Sequence, residues 1–467
     1  MIHGCFFDAT WMYDGKGLTF VDIDDILNIV LTKGENNMPD NKEPVQEEMT
    51  REKWNELLKD VFGKKSIQYL PTQHAIRGIR FDFCSGLRVY FPDDIKGVWT
   101  LEVYDADSRL MLQRTNIRAG DYFVARKRYY VNYAFRLFDE TGKNVYNYKE
   151  LNLEGKDVFI RFPVETLGDT IAWFKGVEDF HAKHKCNLYV RIAEYLRPIF
   201  EKAHPDMHFI TTEQANDIPF FAQYTIAIFH NDSDADDTPN DYRTIPLNHC
   251  SAYILGVKPS DEPPKISFPT GNPLSKNPYV TIGSQASGGV KLWHHPLGWE
   301  KTVKYLKQNG YEVYDIDKDY ISGNAFLWNH LPKDAVDVSG DISIERRAEM
   351  IYHSDFFIGL GSGLSWLAWA VGKPIVLIGG FSESWEEFKG AYRVFNPHVC
   401  HGCFNSVAHV FNHSDYFWCP KHQNTPRHWE CSVGITPDLV IRTIATIPVF
   451  KEHADKNKTT SKTKKKG

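Results

Sequence analysis

The sequence of 467 residues contains no long hydrophobic run. Because no stretch of about 18 consecutive apolar residues occurs, we expect no transmembrane helix. The N-terminal stretch "MIHGCFFDATWMYDG" lacks a basic region and is interrupted by Asp8 and Asp14. It therefore does not have the pattern of a secretory signal peptide. Both absences argue against a membrane-spanning or exported protein.

The chain also has little excess charge of either sign. Its formal net charge is −6 and its pI is near 6.3, which gives no general attraction to nucleic acid. The exception is the basic C-terminal stretch "KNKTTSKTKKKG". Its composition predicts a disordered tail over residues 451–467, with a weak membrane- or nucleic-acid-binding patch as the alternative.

Cysteine is scarce, with eight residues in the whole chain. So few cysteines do not make a disulfide scaffold, and we expect the protein to be cytoplasmic. Four of them are clustered, however, with intervals of two, fifteen and eleven residues: Cys400, Cys403, Cys419 and Cys431. This spacing predicts a tetrahedral structural metal site, which leaves no open position for chemistry. The spacing favours Zn²⁺, although four thiolates also bind iron; a redox dithiol and unrelated buried thiols are the alternatives.

The pattern of apolar residues predicts an α/β protein with several domains, since the chain is too long for one ordinary core. Residues 1–71 are predicted to form an extension with a linker and a short helix at 50–63. Period-two alternation at 72–156 predicts a small β-rich domain. Alternating strand and helix patterns at 157–270 and 271–450 predict two Rossmann-like domains facing a cleft, with the four cysteines in the second.

The loop in "FFIGLGSGLSWLAWAVG" is a candidate phosphate site. A predicted strand ends there, and Gly361, Ser362 and Gly363 turn the chain directly into a helix. Unsatisfied N–H groups and the dipole at a helix start attract anions, and Ser362 or Ser365 can add a hydroxyl donor. A tight turn that binds nothing is the alternative interpretation.

A second candidate loop, "GSQASGGVKLW", follows a predicted strand of the same domain. It presents Gln285 and, after two glycines, Lys291. A lysine beside a glycine-rich loop suits a diphosphate because its ammonium offsets the charge of a leaving group. A solvated loop lysine is the alternative.

Asp169 in "FPVETLGDTIAWF" follows a predicted strand in the first Rossmann-like half. A carboxylate at this edge of the sheet can accept a proton from an attacking hydroxyl. Aspartate is also a favoured N-cap, and position alone favours a cap for a helix starting at Thr170.

Several long motifs, in the same order, resemble the bacterial autotransporter heptosyltransferases. They are "GIRFDFCSGLRVYFP", "ASGGVKLWHHPLGW", "FLWNH", "GSGLSWLAWAVGKPIVLIGGF" and "WCPKHQNTPRHWEC". The resemblance runs from about residue 72 to 445. It implies a GT-B-type glycosyltransferase with two Rossmann-like domains, a preceding β-rich domain and a four-cysteine metal knuckle.

The resemblance also implies function: transfer of heptose from ADP-heptose to serine, and possibly threonine, hydroxyls of autotransporter passenger repeats. It implies Asp169 as the base, iron in place of zinc at the four cysteines, no divalent metal for transfer, and a homo-oligomeric ring, possibly a dodecamer. A similar enzyme acting on a lipopolysaccharide or another glycan is the alternative. The implied substrate-binding residues are Thr166, Leu167, Gly168, Asp169, Thr170, Gln285, Lys291, Gly361, Ser362, Gly363 and Ser365.

Overall fold

The structure is a computed structural model that describes residues 70–230 and 234–464, with two short strands nearer the N-terminus. The predicted helix at 50–63 lies outside the described residues. The strands are β1 (Trp11–Tyr13), β2 (Leu18–Phe20), β3 (Gln73–His74), β4 (Arg80–Cys84), β5 (Arg88–Tyr90), β6 (Trp99–Asp105), β7 (Met111–Ile117), β8 (Tyr122–Val124), β9 (Tyr133–Phe138), β10 (Asn144–Tyr148), β11 (Asp157–Arg161), β12 (Asn187–Arg191), β13 (His208–Phe209), β14 (Ala222–Thr225), β15 (Tyr279–Ile282), β16 (Glu312–Asp315), β17 (Ile321–Asn324), β18 (Leu327–His330), β19 (Val336–Asp337), β20 (Phe357–Leu360), β21 (Ile375–Ile378) and β22 (Tyr392–Val394). The helices are α1 (Leu167–His184), α2 (Arg197–Glu201), α3 (Thr212–Ala215), α4 (Leu247–Ile254), α5 (Gly298–Gln308), α6 (Ile344–His353), α7 (Gly363–Val371), α8 (Glu430–Val433), α9 (Pro437–Ile444) and α10 (Pro448–Lys464).

Two sheets with a parallel core organise these elements, which confirms the predicted α/β architecture. In the first sheet, β13-β12-β11-β14 run parallel; the second is the parallel sheet β19-β16-β15-β20-β21-β22. Both follow the doubly wound order, in which the first strand lies in the centre of the sheet. Loops after β11, β15, β20 and β21 therefore lie at carboxyl edges, where such folds bind ligands.

The predicted small β-rich domain shares the first sheet, because four of its strands, β3, β4, β5 and β8, extend that sheet. Strand β4 pairs in parallel with β14, and β5 and β8 continue the sheet in antiparallel order. Only β10-β9-β6-β7 form a sheet of their own. The ring of Phe81, in β4, contacts the rings of Phe135 and Tyr148 in this four-stranded sheet, which forms a second layer; the centroids are 5.1 Å apart in each case. Aromatic burial thus joins the two layers into one core.

The segment predicted as a disordered tail is helical as far as Lys464, since α10 spans Pro448–Lys464. Its first turns are anchored by packing: the ring of Phe450 lies 5.9 Å from that of Tyr311. Further along, the amide of Asn457 donates to the carbonyl of Asn309 at 2.7 Å. Within the described residues, no helix combines the length and apolar character needed to cross a membrane.

Candidate active site and metal centre

Helix α1 begins directly after the loop that follows β11, and its first turn carries Asp169. The N-cap is Thr166, whose backbone is extended and whose hydroxyl donates to Asp169 Oδ2 at 2.5 Å. The helix thus starts at Leu167, three residues earlier than predicted, and the interpretation of Asp169 as an N-cap is wrong. Among the described residues, no hydrogen bond reaches Asp169 Oδ1, which leaves that oxygen able to accept a proton.

Helix α7 starts in the same way at the end of β20. Gly361 and Ser362 turn the chain, and the helix begins at Gly363 with Ser362 as an extended N-cap that makes no side-chain cap bond. The first N–H groups of a helix have no partner within it, and the dipole adds positive potential there. This turn is therefore suited to bind an anion, as predicted from its glycines.

The starts of α1 and α7 are in direct contact across the boundary between the two sheets. A methyl group built on Gly363 would lie 2.8 Å from Leu167 Cβ, and one built on Gly168 would lie 3.0 Å from Trp366 Cδ1. Only glycine fits at such distances without a shift of the neighbouring atoms. Asp169, the residue after Gly168, is thereby placed beside the candidate anion site.

Two of the predicted substrate-binding hydroxyls are committed to the protein instead. Thr170 is buried and donates to the carbonyl of Thr166 at 2.8 Å. Ser365 is buried and donates to the carbonyl of Leu360 at 2.6 Å. Both hydroxyls satisfy backbone groups, so the residues hold the helix starts in place and have no free donor for a ligand.

Lys291 ends a 3-10 turn formed by Gly289–Lys291 at the carboxyl edge of the second sheet. Its Nζ lies 6.0 Å from the ring centroid of Phe381, which follows β21 at the same edge. No carboxylate forms an ion pair with Lys291 in the part of the chain that the structure describes. Its charge is therefore available to an anion.

Gln285, by contrast, uses both polar atoms of its side chain in hydrogen bonds within the protein. Its Nε2 donates to the carbonyl of Asn329 at 3.1 Å, and its Oε1 accepts from Asn329 Nδ2 at 2.8 Å and from the Ser322 hydroxyl. These contacts fasten the β17–β18 hairpin to the loop after β15. The buried carboxylate of Asp317 fixes that loop by accepting from the N–H groups of Ser284, at 2.6 Å, and of Gln285, at 2.9 Å.

The four clustered cysteines line one small cavity of about 10 Å³, together with Phe381 and Trp429. Burial, reinforced by the neighbouring thiols, raises the pKa of Cys403 and of Cys431 to about 12. These two thiols are therefore hard to ionise unless a cation binds beside them.

Comparison with known proteins identifies the family. The model of the N-terminal domain of glycosyltransferase TibC matches residues 76–141, and that of glycosyltransferase family 9 (heptosyltransferase) matches residues 255–403. The autotransporter heptosyltransferase Aah of Escherichia coli is 37% identical over 387 residues, covering 83% of this chain and 97% of Aah. The chain belongs to the autotransporter heptosyltransferases.

A solved structure within this family has the same fold. The dodecameric iron-containing heptosyltransferase TibC, in complex with ADP-D-beta-D-heptose, is 33% identical with a TM-score of 0.77, covering 83% of this chain and 100% of that chain. A further relative, from Burkholderia thailandensis, is named the inactive autotransporter heptosyltransferase BimC; it is 32% identical over 382 residues, covering 81% of this chain and 88% of BimC. The expected family and GT-B-type fold are confirmed, and the chain is a glycosyltransferase.

In this autotransporter heptosyltransferase the cysteine cavity fits a structural metal ion. Four thiols are the donor set that soft or borderline cations such as iron and zinc prefer. Support comes from Glu430, whose Oε1 accepts from the backbone N–H of Cys400 at 2.9 Å and from Arg427 at 2.6 Å. Potential metal-binding atoms of His422 and Glu430 also lie close to Cys400, all three within 4.8 Å of one another. Ligands fixed by such neighbours hold a metal more firmly.

In this autotransporter heptosyltransferase the segment after β21 lies beside the candidate anion site, although sequence analysis did not select it. A methyl group built on Gly361 would lie 2.8 Å from Glu387 Oε1. That oxygen accepts from the Ser382 hydroxyl at 2.7 Å, and Arg393 pairs with the other oxygen. The signal was present in "IVLIGGFSESWEEF", where acidic residues follow a parallel strand at its carboxyl edge.

Proposed function

We propose that this chain transfers heptose from ADP-heptose to serine, and possibly threonine, hydroxyls of autotransporter passenger repeats. The observation that carries the proposal is the contact between the starts of α1 and α7. Because Asp169 directly follows Gly168, this contact supports a position of its carboxylate near the helix start proposed to bind phosphate. Aah and TibC are named autotransporter heptosyltransferases, and the TibC complex contains ADP-D-beta-D-heptose.

The proposed reaction is a single displacement at the anomeric carbon. Asp169 Oδ1 takes the proton of the acceptor hydroxyl while the hydroxyl oxygen forms the new bond to that carbon. The bond from the carbon to the diphosphate oxygen breaks, and ADP leaves with the electron pair. Lys291 and the unsatisfied N–H groups at the start of α7 stabilise the growing negative charge on ADP, so that no divalent cation is needed there.

Mass spectrometry of a serine-rich passenger fragment incubated with the enzyme and ADP-heptose tests this function. We expect gains of whole heptose units on serine, and no gain when Asp169→Asn replaces the wild type, although this variant should bind ADP with nearly unchanged affinity. Asp438→Asn is the matched control because Asp438 also lies in the first turn of a helix, α9. Transfer by Asp169→Asn would remove Asp169 from the role of base. Because BimC is named inactive, turnover of this chain has to be measured directly.

Titration with ADP tests the nucleotide site separately from transfer. Lys291→Ala should weaken ADP binding by about tenfold, in line with the loss of one charged contact. Lys301→Ala, at an exposed position of α5, should leave it unchanged. Intact ADP binding with no heptose transfer to the passenger fragment would favour the glycan-acceptor alternative.

Three further properties complete the proposal: an iron ion bound by the four cysteines, a homo-oligomeric ring that is possibly a dodecamer, and action in the cytoplasm. The dodecameric, iron-containing TibC supports the first two. The described cysteines form no disulfide, which suits a reducing compartment. Metal analysis and light scattering of the purified protein test the first two; zinc alone, or a monomer, would contradict them.

A further inference from the structure

Residues 380–388, here called the bridging segment, connect the cysteine cluster with the proposed nucleotide site. On the cluster side the segment is tied to the loop that contains Cys400 and Cys403. The N–H of Gly402 donates to the carbonyl of Gly380 at 2.9 Å, and the N–H of Phe404 donates to the carbonyl of Phe381 at 3.1 Å. Two backbone hydrogen bonds thus hold the cysteine loop against the beginning of the bridging segment.

Asn405, two residues after Cys403, makes the side-chain part of this connection. Its Oδ1 accepts from the N–H of Glu383 at 2.8 Å, and its Nδ2 donates to Glu386 Oε2 at 2.6 Å. Asn405 is 9% exposed and Glu386 is 4% exposed, so water does not readily replace these bonds. One amide therefore fixes two points of the bridging segment.

On the opposite side, the bridging segment contacts both proposed diphosphate ligands. The ring of Phe381 lies 6.0 Å from Lys291 Nζ, and Glu387 Oε1 lies next to Gly361. Further along, the ring of Phe388 lies 4.9 Å from that of Trp366 in the first turn of α7. A displacement of the segment would therefore move the surroundings of Lys291 and of the 361–363 turn together.

The bridging segment is also connected to α1, the helix that carries Asp169. The N–H at Leu247, the first residue of α4, donates to the carbonyl of Glu386 at 3.0 Å, and α4 packs along α1. Burial raises the pKa of Glu386 well above its usual range, and the charges of Glu387 and Asp169 add to this. Glu386 is thus near enough to Asp169 for their charges to interact.

We propose that the ion bound by the four cysteines holds the nucleotide-binding face in shape through the bridging segment, with Asn405 as the positioning residue. The inference rests on the proposed function, since it assumes that ADP binds at Lys291 and residues 361–363. Without the ion the four thiols are no longer held to a common centre, and the cysteine loop loses its constraint. Asn405 then no longer fixes Glu383 and Glu386, and the diphosphate ligands lose their common support.

The test is the affinity for ADP, measured by calorimetry per subunit with and without the metal. Stripping the metal from the wild type should weaken ADP binding by about tenfold. The metal-loaded Asn405→Ala variant should show a similar loss of ADP affinity. Stripping the metal from this variant should weaken ADP binding by less than about threefold more, because the connection through Asn405 is already broken. Glu386→Gln should behave like the wild type, since its amide oxygen still accepts from Asn405.

Asn277→Ala is the matched control, because Asn277 makes an equivalent amide-to-carboxylate bond to Glu312 at 2.7 Å in the same domain, away from the cysteines. It should keep the wild-type response to stripping. If Asn405→Ala fails to hold the metal, Glu386→Ala breaks the same bond from the other side, and the same criterion applies.

Two results would overturn this inference and leave the proposed function standing. One is an equal ADP affinity of the metal-loaded and the stripped wild type; the other is a loss of ADP affinity on stripping Asn405→Ala that is as large as in the wild type. No ADP binding by the metal-loaded wild type would overturn the proposed function, and this inference with it.

Discussion

Replacement of Gly168 by alanine tests whether the contact between α1 and α7 sets the position of Asp169, the proposed base. The added methyl would lie 3.0 Å from Trp366 Cδ1 and 3.4 Å from Gly363 Cα, so the helices must move apart by a few tenths of an ångström. Overpacking of this kind costs about 1–3 kcal/mol. Alanine returns about 1 kcal/mol through its helix propensity, so the net loss of stability should be small.

The effect on catalysis should be larger, because Asp169 moves with Gly168 relative to the nucleotide. A misplacement of about 1 Å can cost about 100-fold in rate, so a smaller shift should lower kcat by about tenfold. Thermal unfolding and heptose transfer, measured on Gly168→Ala and on the control Gly271→Ala, separate the two effects; a methyl on Gly271 meets nothing within 4 Å. A wild-type kcat for Gly168→Ala would refute the reasoning.

Two other predictions concern the second domain. Burial lowers the pKa of His294 from 6.5 to about 4, so the folded protein favours the neutral imidazole. The resulting contribution to the free energy of unfolding, up to about 3 kcal/mol, is present above pH 6.5 and is lost as the pH falls towards 4. His294→Phe should therefore flatten the increase in urea resistance between pH 4 and 6.5, and an unchanged slope would contradict this. Gln285→Ala should release the β17–β18 hairpin, measured as faster proteolysis at 321–330 with ADP affinity nearly unchanged; stronger loss of ADP would show that Gln285 binds the nucleotide.

The sequence predicted those parts of the site that follow from chain direction and local pattern. A buried parallel strand followed directly by Gly361, Ser362 and Gly363 predicts that the next helix starts at the carboxyl edge of the sheet. The cysteine spacing likewise confined four thiols to one loop region. Both inferences use residues that are neighbours in the sequence, where local geometry decides the outcome.

Features that depend on distant partners were predicted poorly. The alternation of β4 suits either an independent β-sheet or an extension of the first sheet, and only its pairing with β14 decides. The hydroxyls of Thr170 and Ser365 were equally ambiguous, since residue type does not reveal whether a hydroxyl faces a ligand or a backbone carbonyl. The Lys-rich composition of the tail predicted disorder and not helix α10. The residues that pack this helix on the domain, such as Phe450, precede the tail itself.

The acidic residues beside the proposed diphosphate site raise an electrostatic question, because two uncompensated carboxylates would repel ADP. Glu387 is paired with Arg393, so its charge is balanced within the protein. Burial, the largest cause, raises the pKa of Glu386 well above its usual range and so disfavours its charged form. Lys291, aided by the start of α7, supplies positive charge at the proposed diphosphate site. The acidic segment can thus shape the proposed site while opposing the nucleotide less than two free carboxylates would.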